Sequence, residues 1–465
     1  MNKIKFLLNG AAAVALALSV SACGGDDEDE PKAPDTDIEN GDWSGNVSSG
    51  DKITTDEQAK EFLGETASLV MDKFTPADQK PLAELAASFA NDYADYGFDT
   101  SAFEGRAVKA RALNKFFNSL RVASTGRYMD LSRAAVTIVE IAPFKGVYRP
   151  DATRKMFYRA ADSDNVEVEF YHDGKPCKLV VTPSADTWSV TADADTAKYT
   201  AKIPGEIRFS LTDGGVKLVN GSAKTYWKDG DALRVAADVT AANIRAVSSV
   251  NATNSVVTVT DELYIDDTML ARAEGLVNGT NMVSTKALEG IFDKEVDSWE
   301  SWNGYEYVTE TEYYYEFNPS KAGKMFKNGN ASAQLMDRVL VRAEVSNAAK
   351  LFALDDLYFD TEDYDSKAKA ECQKACDVLN SNTEAYVFLA GNSKSTAKLK
   401  WQPYLDYESS WDDYKYQAWV PEGVISFADG STYNVSQYVI GDFGNVLNRF
   451  ESLYYAYERM FEAAF

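Results

Sequence analysis

Apolar positions recur with a helical period from Ala59 through Phe62, Leu63, Thr66, Leu69 and Val70. This spacing predicts an amphipathic helix. Thr55, with Gln58 three residues on, supplies a capping box at its start. Thr75-Pro76 opens a second helix, because proline at the first helical position forfeits no needed hydrogen bond. Leu82, Leu85, Phe89 and Tyr93 continue its apolar face, and Gly97 suits its end. A third helix is expected on Val108, Ala112, Phe116 and Leu120.

From about Ala134 the period changes from 3.6 to 2. Val166, Val168 and Phe170 alternate with Glu167 and Glu169, Asp173-Gly174 supplies a turn, and Leu179 to Thr182 is rich in strand formers. That pattern is a hairpin with one wet face. Ile207, Phe209 and Leu211, the Asp213-Gly214-Gly215 turn, then Val216 and Leu218 make another. Strand-like segments continue through Ile244, Val256 to Val259 and Val339 to Val345 without alternating long helices, so antiparallel sheets are expected. A helical pattern returns near 366–380. The chain closes on a helix whose Val446, Phe450, Leu453, Tyr457, Met460 and Phe461 form an apolar stripe suited to docking.

The fold class read from these patterns is α+β. It has a helical region over 52–130, a mainly antiparallel β body over 131–440 with one inserted helix, and a docked C-terminal helix over 441–465. Pro204 to Gly214 and Pro421 to Gly430 share a proline, an alternating strand and an aspartate-glycine turn. Either two β units are related by duplication, or the common grammar of hairpins produced both.

The first thirty residues follow a different pattern. Lys3 and Lys5 precede an apolar run from Phe6 to Val20, which leads into Ser21-Ala22-Cys23 and then Gly24-Gly25-Asp26-Asp27-Glu28-Asp29-Glu30. A positive start, a short apolar run and small residues before a cut site make a secretory signal over 1–22. The run falls short of the roughly twenty residues a membrane-spanning helix needs. An ordinary cleaved signal with a chance cysteine is one reading. The residues ending at Cys23 also resemble the lipobox of bacterial lipoproteins, and the acids after it resemble the surface-export signal of Bacteroidetes-type surface-exposed lipoproteins. That resemblance implies lipidation of Cys23 and a lipid-anchored place on the outer membrane, facing the exterior. Acyl chains hold a protein to a membrane at about 0.8 kcal/mol per buried CH₂. Residues 23–51 are acidic and rich in Gly, Ser and Pro, and read as a disordered tether. Asp195-Thr196-Ala197 and Asp267-Thr268-Met269 resemble the O-glycosylation sequons of the same bacteria. The overall plan, a lipobox, a helical N-terminal region, a β body with aspartate-glycine hairpins and an aromatic closing helix, also resembles uncharacterised Bacteroidetes lipoproteins over most of the chain, and that resemblance carries no catalytic motif across.

Composition narrows the function. With 47 basic and 72 acidic residues the net charge is −25, which repels phosphates and makes nucleic acid an unsuitable partner. Beyond Cys23 the cysteines are Cys177, Cys372 and Cys376, an odd number that implies no complete disulfide framework. Cys372 and Cys376 are a helical i,i+4 pair, poorly placed for a disulfide and read as small buried apolar residues. His172 is the single histidine, beside the Asp173-Gly174 turn. Without a nucleophile elbow it makes no hydrolase triad, and by count it excludes histidine-based zinc or iron sites. Asp355, Asp356, Asp360 and Asp363 form the densest acidic stretch. It suits either a calcium ion or a solvated loop capping the next helix.

The richest site-like feature is aromatic. Trp299, Trp302 and Tyr305 belong to one cluster and Trp411, Tyr414 and Trp419 to a second, both among acids. Flat rings beside carboxylates suit sugar stacking, while aromatic strand formers also fill cores. The expectation is a non-enzymatic, membrane-anchored binding protein for a glycan or a surface protein partner, with no cofactor. Alternatives are a carrier of a lipid or hydrophobic small molecule, and a carboxylate-dependent hydrolase. The hydrolase needs two acids facing across a cleft.

Overall fold

A computed structural model describes residues 53–98 and 144–434 apart from short breaks at 54, 195–196, 285, 288–289, 303–306, 355–356, 362–366, 393–394, 412–413 and 428, with a few positions between 448 and 459. The signal, Cys23, the tether, the expected third helix and most of the closing helix lie outside these residues.

Helices α1 (Asp56–Asp72) and α2 (Pro76–Asp92) follow each other closely. The capping box of α1 is formed in both directions: Gln58 N donates to Thr55 Oγ1, and Thr55 N donates to Gln58 Oε1, each at 3.3 Å. Thr55→Ala removes one of these caps and is expected to cost about 1 kcal/mol. Urea denaturation of the variant checks this.

The strands are β1 (Gly97–Phe98), β2 (Gly146–Asp151), β3 (Met156–Ala161), β4 (Val166–His172), β5 (Lys175–Pro183), β6 (Thr187–Ala194), β7 (Ala197–Pro204), β8 (Glu206–Asp213), β9 (Val216–Lys228), β10 (Ala232–Ala241), β11 (Ile244–Thr253), β12 (Val256–Ile265) and β13 (Thr268–Gly279). There follow β14 (Phe292–Trp302), β15 (Tyr307–Phe317), α3 (Pro319–Met325), β16 (Phe326–Leu335), β17 (Val339–Val345), α4 (Ala348–Phe352), β18 (Phe359–Asp360), α5 (Ala368–Asn382), β19 (Thr383–Leu389), β20 (Ala397–Trp411), β21 (Tyr414–Phe427) and β22 (Thr432–Asn434).

Eighteen strands form one sheet. From one edge its order runs β1, β3, β2, β4, β5, β8, then β9 to β13, β16, β17, β19, β20 and β21, with β22 and β18 both on β21. Only β1–β3 and β2–β4 among these pairings are parallel. The class is α+β with a large, mainly antiparallel sheet. Hairpins β6–β7 and β14–β15 are separate two-stranded sheets inserted into the meander. Asp173 and Gly174 have φ of 51° and 73°, and Gly214 and Gly215 have 54° and 87°. Positive φ at both central residues is what a two-residue hairpin requires. The two echo segments occupy different places: Pro204 ends β7, whereas Pro421 lies inside β21, opposite Pro403.

One face of the sheet is apolar. Leu335, Val339, Leu389, Ala397 and Phe427 pack beneath Ala59, Phe62 and Leu63 of α1. Tyr148, Phe157, Val168, Phe170 and Cys177 pack beneath Leu85, Phe89 and Tyr93 of α2. The two helices form a strap along the turn end of the sheet, fastened at successive hairpins. Asp56 N donates to Asp429, and Ile53 exchanges hydrogen bonds with the buried Asn392. Farther on, Arg338 Nε donates to Thr66 Oγ1 at 2.7 Å, and Gln79 and Asp78 hold Asn243 in the β10–β11 turn. Finally the Tyr93 hydroxyl accepts from Tyr171 N at 3.0 Å. Across the middle, Val256 to Tyr264 of β12 are half-buried on both faces. An open sheet of this width exceeds the usual limit of about ten strands, and the strap holds its turn ends together. Among the described residues no helix is long and apolar enough to cross a membrane.

Candidate functional site

The opposite face carries a groove of about 500 Å³ across β5, β8, β9, β10 and β11. Register explains its shape. Val180, Ser210, Asn220, Thr240 and Arg245 are successive cross-strand partners, and Thr182, Arg208, Ser222 and Asp238 form the neighbouring row. Ser210, Asn220, Ser222 and Thr240 are small and polar, whereas Arg208, Lys217 and Arg245 of the same lining are long. Five strands at about 4.8 Å spacing give a floor about 19 Å wide, enough for a short oligosaccharide.

The charges are held in fixed geometry. Arg245 donates two hydrogen bonds to Asp238, at 2.9 and 2.8 Å, and Arg208 donates two to Glu206, at 2.9 and 3.0 Å. The Arg245 contact holds the Asp238 carboxyl below its ordinary range, and Asp238 in turn raises Arg245. These pairs are more than a third exposed in part, so they fix orientation more than they stabilise the fold. The arginine N–H groups not spent on carboxylates, the hydroxyls of Ser210, Ser222 and Thr240, and the amide of Asn220 offer donors and acceptors along the groove. Asp238 is the single carboxylate lining the groove among the described residues, and it is engaged.

The aromatic candidates fall in three situations. Trp299 and Trp302 belong to β14, opposite Glu310 and Tyr307, and Trp411 and Tyr414 face each other at the end of β20–β21. Their side chains, and Tyr305 altogether, lie outside the described residues. Trp419 packs with Phe359, Ala368, Cys372 and Cys376 beneath α5, and the Lys369 ammonium sits 4.8 Å from its ring centre. Its ring therefore works as packing. Tyr407 and Tyr416 of the second aromatic cluster come together on the same hairpin with Asp360 and with Tyr358, a residue that sequence reasoning did not single out. Tyr416 donates to Asp360 Oδ2 at 3.1 Å, lies 3.4 Å from the Tyr358 hydroxyl and meets the Tyr407 ring at 5.8 Å. Tyr358 and Tyr407 are 40% and 51% exposed. The hydrogen bond with Tyr358 is the foremost cause raising the Tyr416 hydroxyl. Asp360 is thus a hydroxyl acceptor, while Asp355, Asp356 and Asp363 of the calcium candidate lie outside the described residues.

Cys372 and Cys376 are free and wholly buried on the inner face of α5. Burial pushes the Cys376 thiol up to about 12 from 9.0, with the neighbouring Cys372 adding to it. A thiol raised in the fold contributes stability that is complete below the unfolded value and is lost as pH rises toward 12. Iodoacetamide at pH 8 is expected to leave both unmodified in the native protein and to modify both in urea. Rapid native alkylation of either would contradict the packing.

The single histidine has partners that its place in the sequence does not reveal. His172 Nδ1 lies 3.1 Å from Asp213 Oδ2, and Cys177 Sγ donates to Asp213 Oδ1 at 3.4 Å. No local motif signals this group, because it is assembled by strand pairing. Comparison of the chain with protein-family models, with curated proteins and with solved structures finds no match.

Proposed function

We propose that this chain is a membrane-anchored, surface-exposed bacterial lipoprotein that binds a glycan without catalysis, with Cys23 as the acylated residue. The groove over β5 and β8–β11 carries the reading. Its lining is hydroxyl, amide and guanidinium, which favours a hydroxyl-bearing ligand over an acyl chain. Its carboxylate is bound to Arg245, which leaves no opposed acid pair for glycoside cleavage among the described lining residues. The acidic body disfavours nucleic acid. The exposed Tyr358 and Tyr407 favour a second contact, with a surface protein partner, since tyrosine is enriched at such interfaces. Arg449, paired with Asp72 at 2.5 Å, supports a closing helix docked near the end of α1. A glycan array probed with the mature protein in detergent tests the ligand class, and labelled palmitate fed to the producing cells tests the anchor. The expected results are glycan hits with no release of shortened sugar, and label on the polypeptide that Cys23→Ser abolishes. An array without hits would sink the ligand, and unlabelled protein would sink the address.

A further inference from the structure

We propose that His172, Cys177 and Asp213 bind a zinc ion at the turn end of β4, β5 and β8. The three residues come from three adjacent strands and share the apolar face. His172 ends β4 immediately before the Asp173-Gly174 turn, and Asp213 ends β8 immediately before the Gly214-Gly215 turn. Cys177 is the cross-strand partner of both Phe170 and Asp213, which sets its thiol between those strands. One imidazole nitrogen, the thiol sulfur and a carboxylate oxygen all lie within 4.8 Å of one another. Zinc bonds of about 2.0 Å to nitrogen or oxygen and 2.3 Å to sulfur put tetrahedral ligands about 3.3–3.6 Å apart. The Nδ1–Oδ2 distance of 3.1 Å and the Sγ–Oδ1 distance of 3.4 Å are near these values but end on different oxygens of Asp213, so a small turn of that carboxylate and contraction of the remaining edges from within 4.8 Å complete the set.

Charge supports the same occupant. Zn²⁺ displaces one proton from the Cys177 thiol to solvent and gains a sulfur bond. The ion, one thiolate and the Asp213 carboxylate then sum to a neutral site. Neutrality suits a site whose Cys177 belongs to the buried apolar cluster of Phe157, Val168 and Phe170, where an isolated charge is costly. A mixed nitrogen, sulfur and oxygen set selects a borderline-soft ion over calcium or magnesium. His172 and Asp213 keep 11% and 13% of their side chains exposed, so the fourth position faces water at the turn end. Tyr93 clamps the backbone of Tyr171, next to the histidine.

The test is titration of the full mature protein, stripped with chelator, with Co²⁺ and then with Zn²⁺ in competition. The expected result is a near-ultraviolet thiolate-to-cobalt band with tetrahedral visible bands, all displaced by one equivalent of Zn²⁺. Cys177→Ser should abolish the charge-transfer band and weaken Zn²⁺ at least tenfold, and His172→Gln should weaken Zn²⁺ at least tenfold. Cys372→Ser should leave the spectrum unchanged. Absence of a thiolate band in the wild type would overturn the site. So would a band that survives Cys177→Ser, or equal Zn²⁺ affinity in a folded His172→Gln protein. The latter variant decides the matter if Cys177→Ser does not fold.

Discussion

Phe157→Ala is expected to remove about 3–5 kcal/mol of stability, the cost of a large cavity in a packed aromatic core. Phe157 is 1% exposed, and its ring meets four others. Phe98 stacks on it at 5.1 Å, Tyr93 lies at 5.3 Å, Tyr96 at 5.7 Å and Phe89 at 6.1 Å. Three of these rings come from α2 and the turn after it, and Phe98 comes from β1, so Phe157 is where the strap fastens to the sheet edge. The four remaining rings cannot collapse into the space that Phe157 leaves, because α2 is also held at Asn243 and Tyr171. A domain of ordinary stability has about 5–15 kcal/mol in total, so the variant loses a large fraction. Urea denaturation measures it. A loss below 1 kcal/mol would mean that α2 does not rest on this cluster.

Gly221→Val should cost about 2–3 kcal/mol and should also damage the groove. A Cβ at Gly221 would stand 2.6 Å from the carbonyl oxygen of Asp238 and 2.8 Å from the Phe209 ring. Phe209 is the cross-strand partner of Gly221 and lies over it, and the Asp238 backbone is part of the ladder, so neither can move cheaply. Relief requires β9 and β10 to separate, which displaces the Asp238–Arg245 pair. Gly275→Val is the matched control. Nothing lies within 4 Å of a Cβ there, and a β-branched residue favours a strand. The control should retain wild-type stability. Equal loss in both variants would show a general intolerance of side chains on this face and would remove the special role of Gly221.

What the amino-acid pattern reveals is local. The capping box at Thr55, the Pro76 start, the period-2 segments and the Asp173-Gly174 and Gly214-Gly215 turns each depend on residues a few positions apart, and each was readable. Whether an aromatic belongs to core or surface is not readable from the pattern, and Trp419 shows why. An aromatic in an alternating strand belongs to whichever face a neighbour covers, and the covering helix, α5, is far from it in sequence order. The groove was invisible for a related reason. Ser210, Asn220, Ser222 and Thr240 are unremarkable singly, and they become a surface only when five strands align in register. The same holds for His172 and Asp213, which are separated in the chain by β5, β6 and β7 and brought to 3.1 Å because β4 and β8 both pair with β5. Counting histidines excludes an all-histidine metal centre but says nothing about a mixed donor set.

Isothermal titration of the strongest array oligosaccharide into the wild-type protein and into Ser222→Trp decides whether the groove is the binding site. Ser222 lies between Arg208 and Asp238 in its row, so an indole there fills the groove without removing either ion pair. The predicted result is at least tenfold weaker binding in the variant, with unchanged urea stability and no cleavage of the sugar. Equal affinity in both proteins, or hydrolysis of the oligosaccharide, would contradict a non-catalytic glycan site on this face of the sheet.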